Sequence, residues 1–270
     1  MAHRLNNRRV RALGIPLAAM LFIMACSATP YTGRKRLMLT TEQQENAMGA
    51  ESYKEFMGKA TPSSNRAYID LVTRVGTRLA AAANRPDYAW EFEVVESKEI
   101  NAWCLPGGKI VFYTGIMKLF DNEAEIAAVM GHEIAHAVLR HGGERMSQGL
   151  VIQALGTMLE SMTETSQNRA LYMLAFGGIS NVGVLLPFSR KHEYEADRTG
   201  TMLMAKSGYD PDAATAFWKK MIKLGGTKTP EFLSTHPADG NRVKALAKVS
   251  GEMRGYYTNA PQRYGLGEKI

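Results

Sequence analysis

The chain has little cysteine. Only Cys26 and Cys104 occur among its 270 residues. Structural zinc sites favour four closed ligands rich in cysteine, so this chain cannot build one. If Cys26 is acylated, as argued below, Cys104 is left single and no disulfide forms. Cys104 lies in an apolar run, which favours a buried and chemically inert thiol.

The chain also lacks a basic stripe interleaved with aromatic residues, which argues against nucleic acid as a partner. It carries 33 basic and 26 acidic residues, for a net charge of +7. The first 25 residues hold four arginines and no acid, so their removal would lower the net charge to +3. The remaining 245 residues suffice for one domain with a sizeable core, and they contain no internal repeat.

The first 25 residues have the pattern of a signal peptide. A start rich in arginine precedes the apolar segment 12–25, which is too short for a confident transmembrane helix. Residues 23–26 read Ile-Met-Ala-Cys and resemble a bacterial lipobox. We therefore predict that Cys26 is lipidated and becomes the mature N-terminus. The alternative is plain secretion with a later cut.

The residue after the predicted lipidation site indicates a location. Ser27 follows Cys26, so no aspartate is present there to signal retention in an inner membrane. In a host with two membranes we expect the outer one. The protein would then be anchored through lipid on the periplasmic face of that membrane.

Residues 132–136 read His-Glu-Ile-Ala-His and form the motif H-E-x-x-H. Residues four apart share one face of a helix, so His132 and His136 can reach the same metal ion. Glu133 would point toward the same cavity. Two imidazoles and a nearby carboxylate base are what metal-assisted peptide hydrolysis requires, and this motif is a known zinc protease signature.

The surroundings of the motif predict a helix. Asn122 and Glu125 have the spacing of a capping box, and apolar residues of helical spacing follow them. We expect the helix to run to residue 139 or 140 and to end at Gly142-Gly143. The alternative is a core helix whose two histidines have only structural partners.

A third zinc ligand must come from another segment. The longer motif H-E-x-x-H-x-x-G-x-x-H would supply it locally, but Leu139 replaces its glycine and Gly142 replaces its last histidine. His141 is displaced by one residue. The best candidate segment is 189–197, where Glu193 and Asp197 share a helix face. One carboxylate would bind zinc and the other would orient a histidine. A solvated, charged helix face is the alternative.

Four motifs together resemble a family of zinc metallopeptidases. They are residues 101–108 (NAWCLPGG), 132–136 (HEIAH), 190–197 (RKHEYEAD) and 235–237 (THP) with Arg242. The family includes the HtpX heat-shock protease and the CAAX prenyl endopeptidases, and the likeness is to its periplasmic lipoprotein branch. The motifs occur in the family's order and cover roughly residues 28–250.

The resemblance implies roles for these residues. His132, His136 and Glu193 would bind zinc, Glu133 would be the general base, and Asp197 would orient a zinc-binding histidine. His236 would lie beside the zinc, where two roles stay open. It could stabilise the oxyanion of the reaction, with Arg242 as the other candidate donor. It could instead occupy the fourth zinc position and hold the enzyme off. We favour the first role, because no other histidine of the mature chain is free.

We predict a predominantly helical α+β fold, a zincin-like (gluzincin) metalloprotease domain with a small β-sheet beside the metal helix. The signal peptide would span residues 1–25, the lipidated N-terminus and tether 26–40, the peptidase domain 41–255 and a polar, loosely held tail 256–270. A strand at 101–105 or 109–114 could offer an edge for an extended peptide. Segment 151–186 is apolar but interrupted, which predicts buried helices or a mobile flap, not a membrane span.

The sequence thus predicts a zinc-dependent endopeptidase anchored as a lipoprotein in a bacterial envelope. Unfolded or misassembled envelope proteins would be its substrates, and quality control its role. The main alternative is a chaperone-like or binding lipoprotein that keeps the fold without the chemistry. Loss of Glu133 or of a ligand would mark that alternative, and neither loss is seen.

Overall fold

A computed structural model describes residues 26–180, 186–225, 230–267 and 269–270. The predicted signal peptide, residues 1–25, lies outside this range. The strands are β1 (Cys26–Ala28), β2 (Lys35–Leu37), β3 (Glu91–Val95), β4 (Ala102–Leu105) and β5 (Lys109–Tyr113). The helices are α1 (Glu42–Met57), α2 (Arg66–Ala83), α3 (Thr114–Met117), α4 (Glu123–Val138), α5 (His141–Met162), α6 (Arg169–Gly178), α7 (Leu186–Lys206), α8 (Asp212–Leu224), α9 (Glu231–Thr235) and α10 (Gly240–Thr258).

The three-stranded sheet has the order β3-β5-β4. Strand β5 runs parallel to β3 and antiparallel to β4, with Ile110 opposite both Phe92 and Cys104. The central strand β5 is the most buried of the three. Of the two segments predicted to offer an edge, only 101–105 does so. Segment 109–114 is central, because hydrogen bonds to neighbours occupy both of its sides.

The first two helices follow their sequence signals. At the start of α1, the Thr41 hydroxyl accepts a hydrogen bond from the Gln44 amide, and the Gln44 side chain accepts one from the Thr41 amide. This reciprocal pair satisfies two helix-end donors. On α2, Val72, Val75 and Leu79 are fully buried in the main core, as the helical spacing of the apolar residues predicts.

Helices α4 and α7 cross with their backbones in direct contact. A Cβ on Gly131 would lie 2.8 Å from the Gly200 carbonyl oxygen, and a Cβ on Gly200 would lie 2.7 Å from Gly131 backbone atoms. Any side chain there would push the helices apart. His132 follows Gly131 directly, and Glu193 lies about two turns before Gly200. The glycine crossing therefore brings the two motifs together.

Residues 26–37, within the segment predicted as a lipidated N-terminus and tether, form a hairpin that lies against the domain. Strands β1 and β2 pair antiparallel, with Cys26 opposite Leu37. The Arg36 guanidinium donates to the Leu139 carbonyl, and the Leu39 amide donates to the Ser147 hydroxyl at 2.8 Å. These bonds fix the hairpin on the segment that follows the metal helix.

Helix α4 ends earlier than predicted. Arg140 has a left-handed backbone with φ of 55°, and α5 starts at His141. Gly142 and Gly143 lie in the first turn of α5, so the predicted stop at these glycines is wrong. A Cβ on Gly143 would lie 2.1 Å from a carboxylate oxygen of Glu45. Close packing against α1, not helix termination, requires this glycine.

The outer half of α5 and helix α6 are exposed, which corrects the prediction of buried helices at 151–186. Leu155 is 50% exposed and Leu174 is 75% exposed. A mobile flap stays a prediction, and residues 181–185 lie outside the described range. In the part of the chain that the structure describes, no helix combines the length and apolar character needed to cross a membrane.

The observed architecture is predominantly helical with a small mixed sheet, and β4 packs against α4. This confirms the predicted α+β, zincin-like fold class.

Helix α10 continues to Thr258, past the predicted end of the domain at residue 255. The tail beyond it is not entirely loose, because the Tyr264 amide donates to the Gly208 carbonyl at 2.8 Å. The domain limits themselves stay predictions.

Candidate metal centre

Helix α4 presents two histidines on one face. His132 and His136 are 2% and 7% exposed, and their Nε2 atoms lie 3.1 Å apart.

The N-cap of α4 is Asn122, whose side chain accepts a hydrogen bond from the Glu125 amide, as predicted. The Glu125 carboxylate does not complete the capping box. It accepts from the Asp121 amide and from Lys220 instead.

Helix α7 brings Glu193 to the same point. Its Oε2 lies 3.3 Å from His132 Nε2, and its Oε1 lies 3.3 Å from His136 Nε2. Burial opposes the charge on Glu193, but His136 and the hydrogen bonds of the histidines outweigh burial and lower its pKa. The structure therefore brings together the three predicted zinc ligands, and the alternative of a solvated helix face does not apply to Glu193.

His236 completes the group from the segment between α9 and α10. Its Nδ1 lies 3.1 Å from His132 Nε2 and 3.2 Å from Glu193 Oε2. The ligand atoms of His132, His136, Glu193 and His236 all lie within 4.8 Å of one another. The sequence predicted that His236 is close to the zinc, but not which of its atoms faces the ligands.

The group fits zinc. Atoms held at about 2.0–2.2 Å around one tetrahedral zinc lie roughly 3.3–3.6 Å apart, close to the separations of 3.1–3.3 Å given above. The donors are imidazole nitrogens and one carboxylate, which are ordinary zinc ligands. The predicted cofactor is thus confirmed by the donor chemistry of this group.

Asp197 orients His132 from behind. One turn after Glu193 on α7, its Oδ1 lies 3.0 Å from His132 Nδ1. A carboxylate at this nitrogen fixes the imidazole with its other nitrogen free for a metal. Burial alone would raise the pKa of Asp197, but the Arg242 guanidinium outweighs burial and lowers it. This is the arrangement that the resemblance implied for Asp197.

Arg242 joins both carboxylates. Its Nε and Nη2 donate to Asp197 at 2.7 and 2.8 Å, and its Nη1 lies 2.9 Å from Glu193 Oε2. Nη1 also donates to the Pro237 carbonyl at 2.9 Å, which ties the segment after His236 to the site. The guanidinium lies over the Trp218 ring, 4.0 Å from its centroid. These contacts give Arg242 a positioning role, with its donors already engaged.

Glu133 is 3% exposed and points into the site. Its Oε1 has no hydrogen-bond partner and lies 3.3 Å from His236 Nε2. Burial raises the pKa of this carboxyl. A buried carboxylate oxygen without a hydrogen-bond partner, beside the metal-ligand group, is available to take a proton from a reacting group.

Several contributing residues were not found from the sequence. The helix-crossing glycines, Gly131 and Gly200, could have been suspected because glycine is costly inside helices. Trp218 gives no sequence signal, since a buried aromatic on an amphipathic helix is ordinary core. The Cys104 thiol is half-buried, donates to the Leu105 carbonyl and has its pKa raised by burial, as an inert thiol would.

A cleft opens beside Glu193 and Arg242. Its volume is about 270 Å³. Tyr194 and the segment from Pro237 to Asp239 form parts of its wall, and Arg190 lies at its side. The cleft provides space next to the ligand group for a side chain of a bound peptide.

Comparison with known proteins agrees with this geometry. The family model described as Peptidase family M48 matches residues 70–250. The mitochondrial metalloendopeptidase OMA1 of Schizosaccharomyces pombe is 33% identical over 223 residues, which are 80% of this chain and 64% of that protein. Human OMA1 is 29% identical over 263 residues, covering 90% and 50%.

A bacterial relative covers a similar range. The beta-barrel assembly-enhancing protease of Escherichia coli K12 is 27% identical over 253 residues, which are 91% of this chain and 52% of that protein. The chain spans between about a third and two thirds of the length of the curated relatives it matches.

Proposed function

Because the chain belongs to peptidase family M48, we propose that it is a zinc-dependent endopeptidase that hydrolyses peptide bonds beside His132, His136 and Glu193. The observation that carries this proposal is the convergence of these ligand atoms next to the buried Glu133, whose Oε1 has no hydrogen-bond partner. A structural zinc site would leave no reactive carboxylate at the metal. Zinc bound by these residues would lower the pKa of an attacking water and polarise the scissile carbonyl.

Glu133 moves the proton in this proposal. Its Oε1 takes a proton from the attacking water and passes it to the leaving amine. Burial raises the pKa of Glu133, so the carboxyl can hold that proton between the two transfers. The positions of the partners are fixed by Asp197 at His132 and by Arg242 at Glu193.

His236 occupies the fourth position of the resting site in this proposal. Its Nδ1 lies among the ligand atoms, and its Nε2 faces Glu133. This placement supports the role of a block over that of an oxyanion donor. A substrate would have to displace the ring, because the same atoms cannot serve both histidine and peptide. Displacement would leave His236 near the reacting carbonyl, so the donor role remains a second candidate.

The substrate binds as an extended strand along β4. This strand lies at the edge of the sheet and packs on the metal helix α4. Pairing with a sheet edge holds any peptide backbone in the extended form that a protease needs, without selecting its sequence. That property suits unfolded proteins as substrates.

The enzyme is anchored by lipid on Cys26 and acts on misassembled envelope proteins in quality control. Support comes from the lipobox-like residues 23–26 and the signal-peptide pattern before them. One relative is named a beta-barrel assembly-enhancing protease. A Cys26→Ser variant should not incorporate labelled fatty acid, and equal labelling of both proteins would contradict the anchor.

Two measurements test the enzyme itself. Purified protein should contain about one zinc per chain, and the double variant His132→Ala, His136→Ala should lose it. Wild type should cleave casein, whereas zinc-loaded Glu133→Gln should do so at least about a hundredfold more slowly. A chaperone-like protein would instead protect unfolded casein from aggregation without cleaving it, with no difference between the two proteins.

Native substrates can be sought with the same variant. Envelope proteins that accumulate on Glu133→Gln, and are cut in cells with wild type, would identify the substrate class. If the trapped proteins were neither envelope proteins nor cleaved, the quality-control role would be wrong while peptidase activity could still stand.

A further inference from the structure

The two zinc-binding histidines are supported by different partners. His132 Nδ1 faces the Asp197 carboxylate, whereas His136 Nδ1 lies 3.0 Å from Nδ1 of another histidine, His141. His141 is fully buried in the first turn of α5. An imidazole is an uncommon support for a metal ligand, since carboxylates, carbonyls and waters are the usual ones. His141 must therefore be held in the correct tautomer by something else.

The distances define that tautomer. His136 turns Nε2 toward the other ligand atoms, so its proton lies on Nδ1. His141 must then accept this proton's hydrogen bond at Nδ1 and carry its own proton on Nε2. His141 Nε2 lies 3.2 Å from Glu195 Oε2, a suitable acceptor. Glu195 thus sets the proton position on His141, which in turn sets it on His136.

Glu195 is fixed by the N-terminal hairpin. Arg34 Nε and Nη2 donate to its two oxygens at 3.0 and 2.9 Å, and the Thr32 hydroxyl donates to Oε1 at 2.7 Å. The forked guanidinium holds the carboxylate in one orientation. Arg34 and Thr32 lie in the turn between β1 and β2, more than 100 residues before His141 in the chain.

A second carboxylate, that of Glu144, also pairs with Arg34 but does not contact a metal ligand. Arg34 donates to both oxygens of Glu144 at 2.7 and 2.6 Å. Glu144 Oε2 lies 3.1 Å from Nε2 of His192, whose ring stacks on His141 with centroids 4.2 Å apart. Glu144 and His192 are each 1% exposed. Glu144 is thus more deeply buried than Glu195, whose side chain is 11% exposed, but Glu144 is not part of the relay to His136.

We propose that Arg34 is a positioning residue for the zinc ligand His136, acting through Glu195 and His141. This proposal rests on zinc binding by His136 in the proposed function. The N-terminal hairpin would then help to position a metal ligand, although the two are far apart in sequence. Loss of a supporting partner of a metal-binding histidine typically weakens metal affinity by roughly 10- to 100-fold.

The test compares zinc affinities of the purified chain, measured by competition with a chelator. Arg34→Gln and Glu195→Gln should each raise the zinc Kd by roughly 10- to 100-fold. The double variant should be no weaker than either single variant, because both act along one path. Glu144→Gln is the matched control. It removes a more deeply buried carboxylate from the same guanidinium and should change the zinc Kd clearly less.

Unchanged affinity in Glu195→Gln, or an equal loss in Glu144→Gln, would overturn the proposal. Wild type without stoichiometric zinc would instead overturn the proposed function, so the two failures are distinguishable. Should a variant fail to fold, zinc-loaded wild type labelled with ¹⁵N-histidine gives a second test. His141 should carry its proton on Nε2 and His136 on Nδ1. A proton on His141 Nδ1 would contradict the relay.

Discussion

The two halves of helix α5 differ sharply. The first half, residues 141–148, lies behind the metal centre, and its polar side chains His141, Glu144 and Ser147 are buried with partners. The second half exposes large apolar side chains, as does the facing helix α6. They are Leu150, Leu155, Met158 and Met162 on α5 and Leu171, Tyr172 and Leu174 on α6.

Polarity alone therefore does not decide which residues stabilise this protein. The buried charged groups Arg242, Asp197 and Glu193 are tied to one another, so removal of one leaves another without compensation. The exposed apolar groups of α5 and α6 gain little from the fold, because hydrophobic stabilisation requires removal of surface from water. We expect substitutions in the metal centre to cost far more free energy of unfolding than substitutions of these exposed residues.

Arg242→Ala should have the largest effect. It leaves Asp197 and Glu193 buried without their cation, which typically costs about 3–5 kcal/mol. Chemical denaturation of the zinc-free protein would measure this loss. Arg254→Ala on the same helix removes an exposed arginine that pairs with Asp210 and Asp212, and it should cost at most about 1 kcal/mol. Similar losses of unfolding free energy in both variants would show that the buried arginine stabilises the protein no more than the exposed one.

Gly200→Ala should rank second. Its new methyl group would overlap the backbone of α4 at Gly131, and such overpacking typically costs about 1–3 kcal/mol. The displaced helices should also bind zinc more weakly, because Glu193 and His132 come from opposite sides of the crossing. Gly251→Ala on α10 adds a methyl group to open space and should be neutral or slightly stabilising. Zinc affinity unchanged in Gly200→Ala would show that the crossing does not set the ligand positions.

His236→Ala should change activity more than stability, because this side chain lies at the border of the site and is 12% exposed. As a block, its loss should raise basal cleavage of casein. As an oxyanion donor, its loss should lower turnover by roughly one to three orders of magnitude. Arg242→Ala measured beside it at fixed zinc would show whether the arginine is the donor instead. Equal rates for wild type and His236→Ala would exclude both roles.

The double variant Met158→Gln, Leu174→Gln, on α5 and α6, should have the smallest effect. Both side chains are at least 60% exposed, so the free energy of unfolding should change by about 0.5 kcal/mol or less. Met221→Gln, which places an amide at a fully buried position of α8, is the control and should cost several times more. A large loss of unfolding free energy in the Met158→Gln, Leu174→Gln variant would mean that this apolar surface is covered in solution.

The sequence by itself determined the parts of this protein that follow from local periodicity. A helix places residues four apart on one face, so His132 with His136 and Glu193 with Asp197 were predictable pairs. The strand predicted at 109–114 likewise matches β5 to within about a residue. The ligand set could be proposed because each half of it is a short motif.

Only the tertiary structure decided how the distant segments meet. The contact of Gly131 with Gly200, the placement of His236 Nδ1 among the ligand atoms and the path from Arg34 to His136 each join residues more than 60 positions apart. No local pattern marks which of these residues meet, because packing of helix on helix and of the N-terminal hairpin on helix selects which side chains face one another. The same physics explains why a left-handed Arg140 turned His141 back toward His136, where a continuous helix would have carried it away.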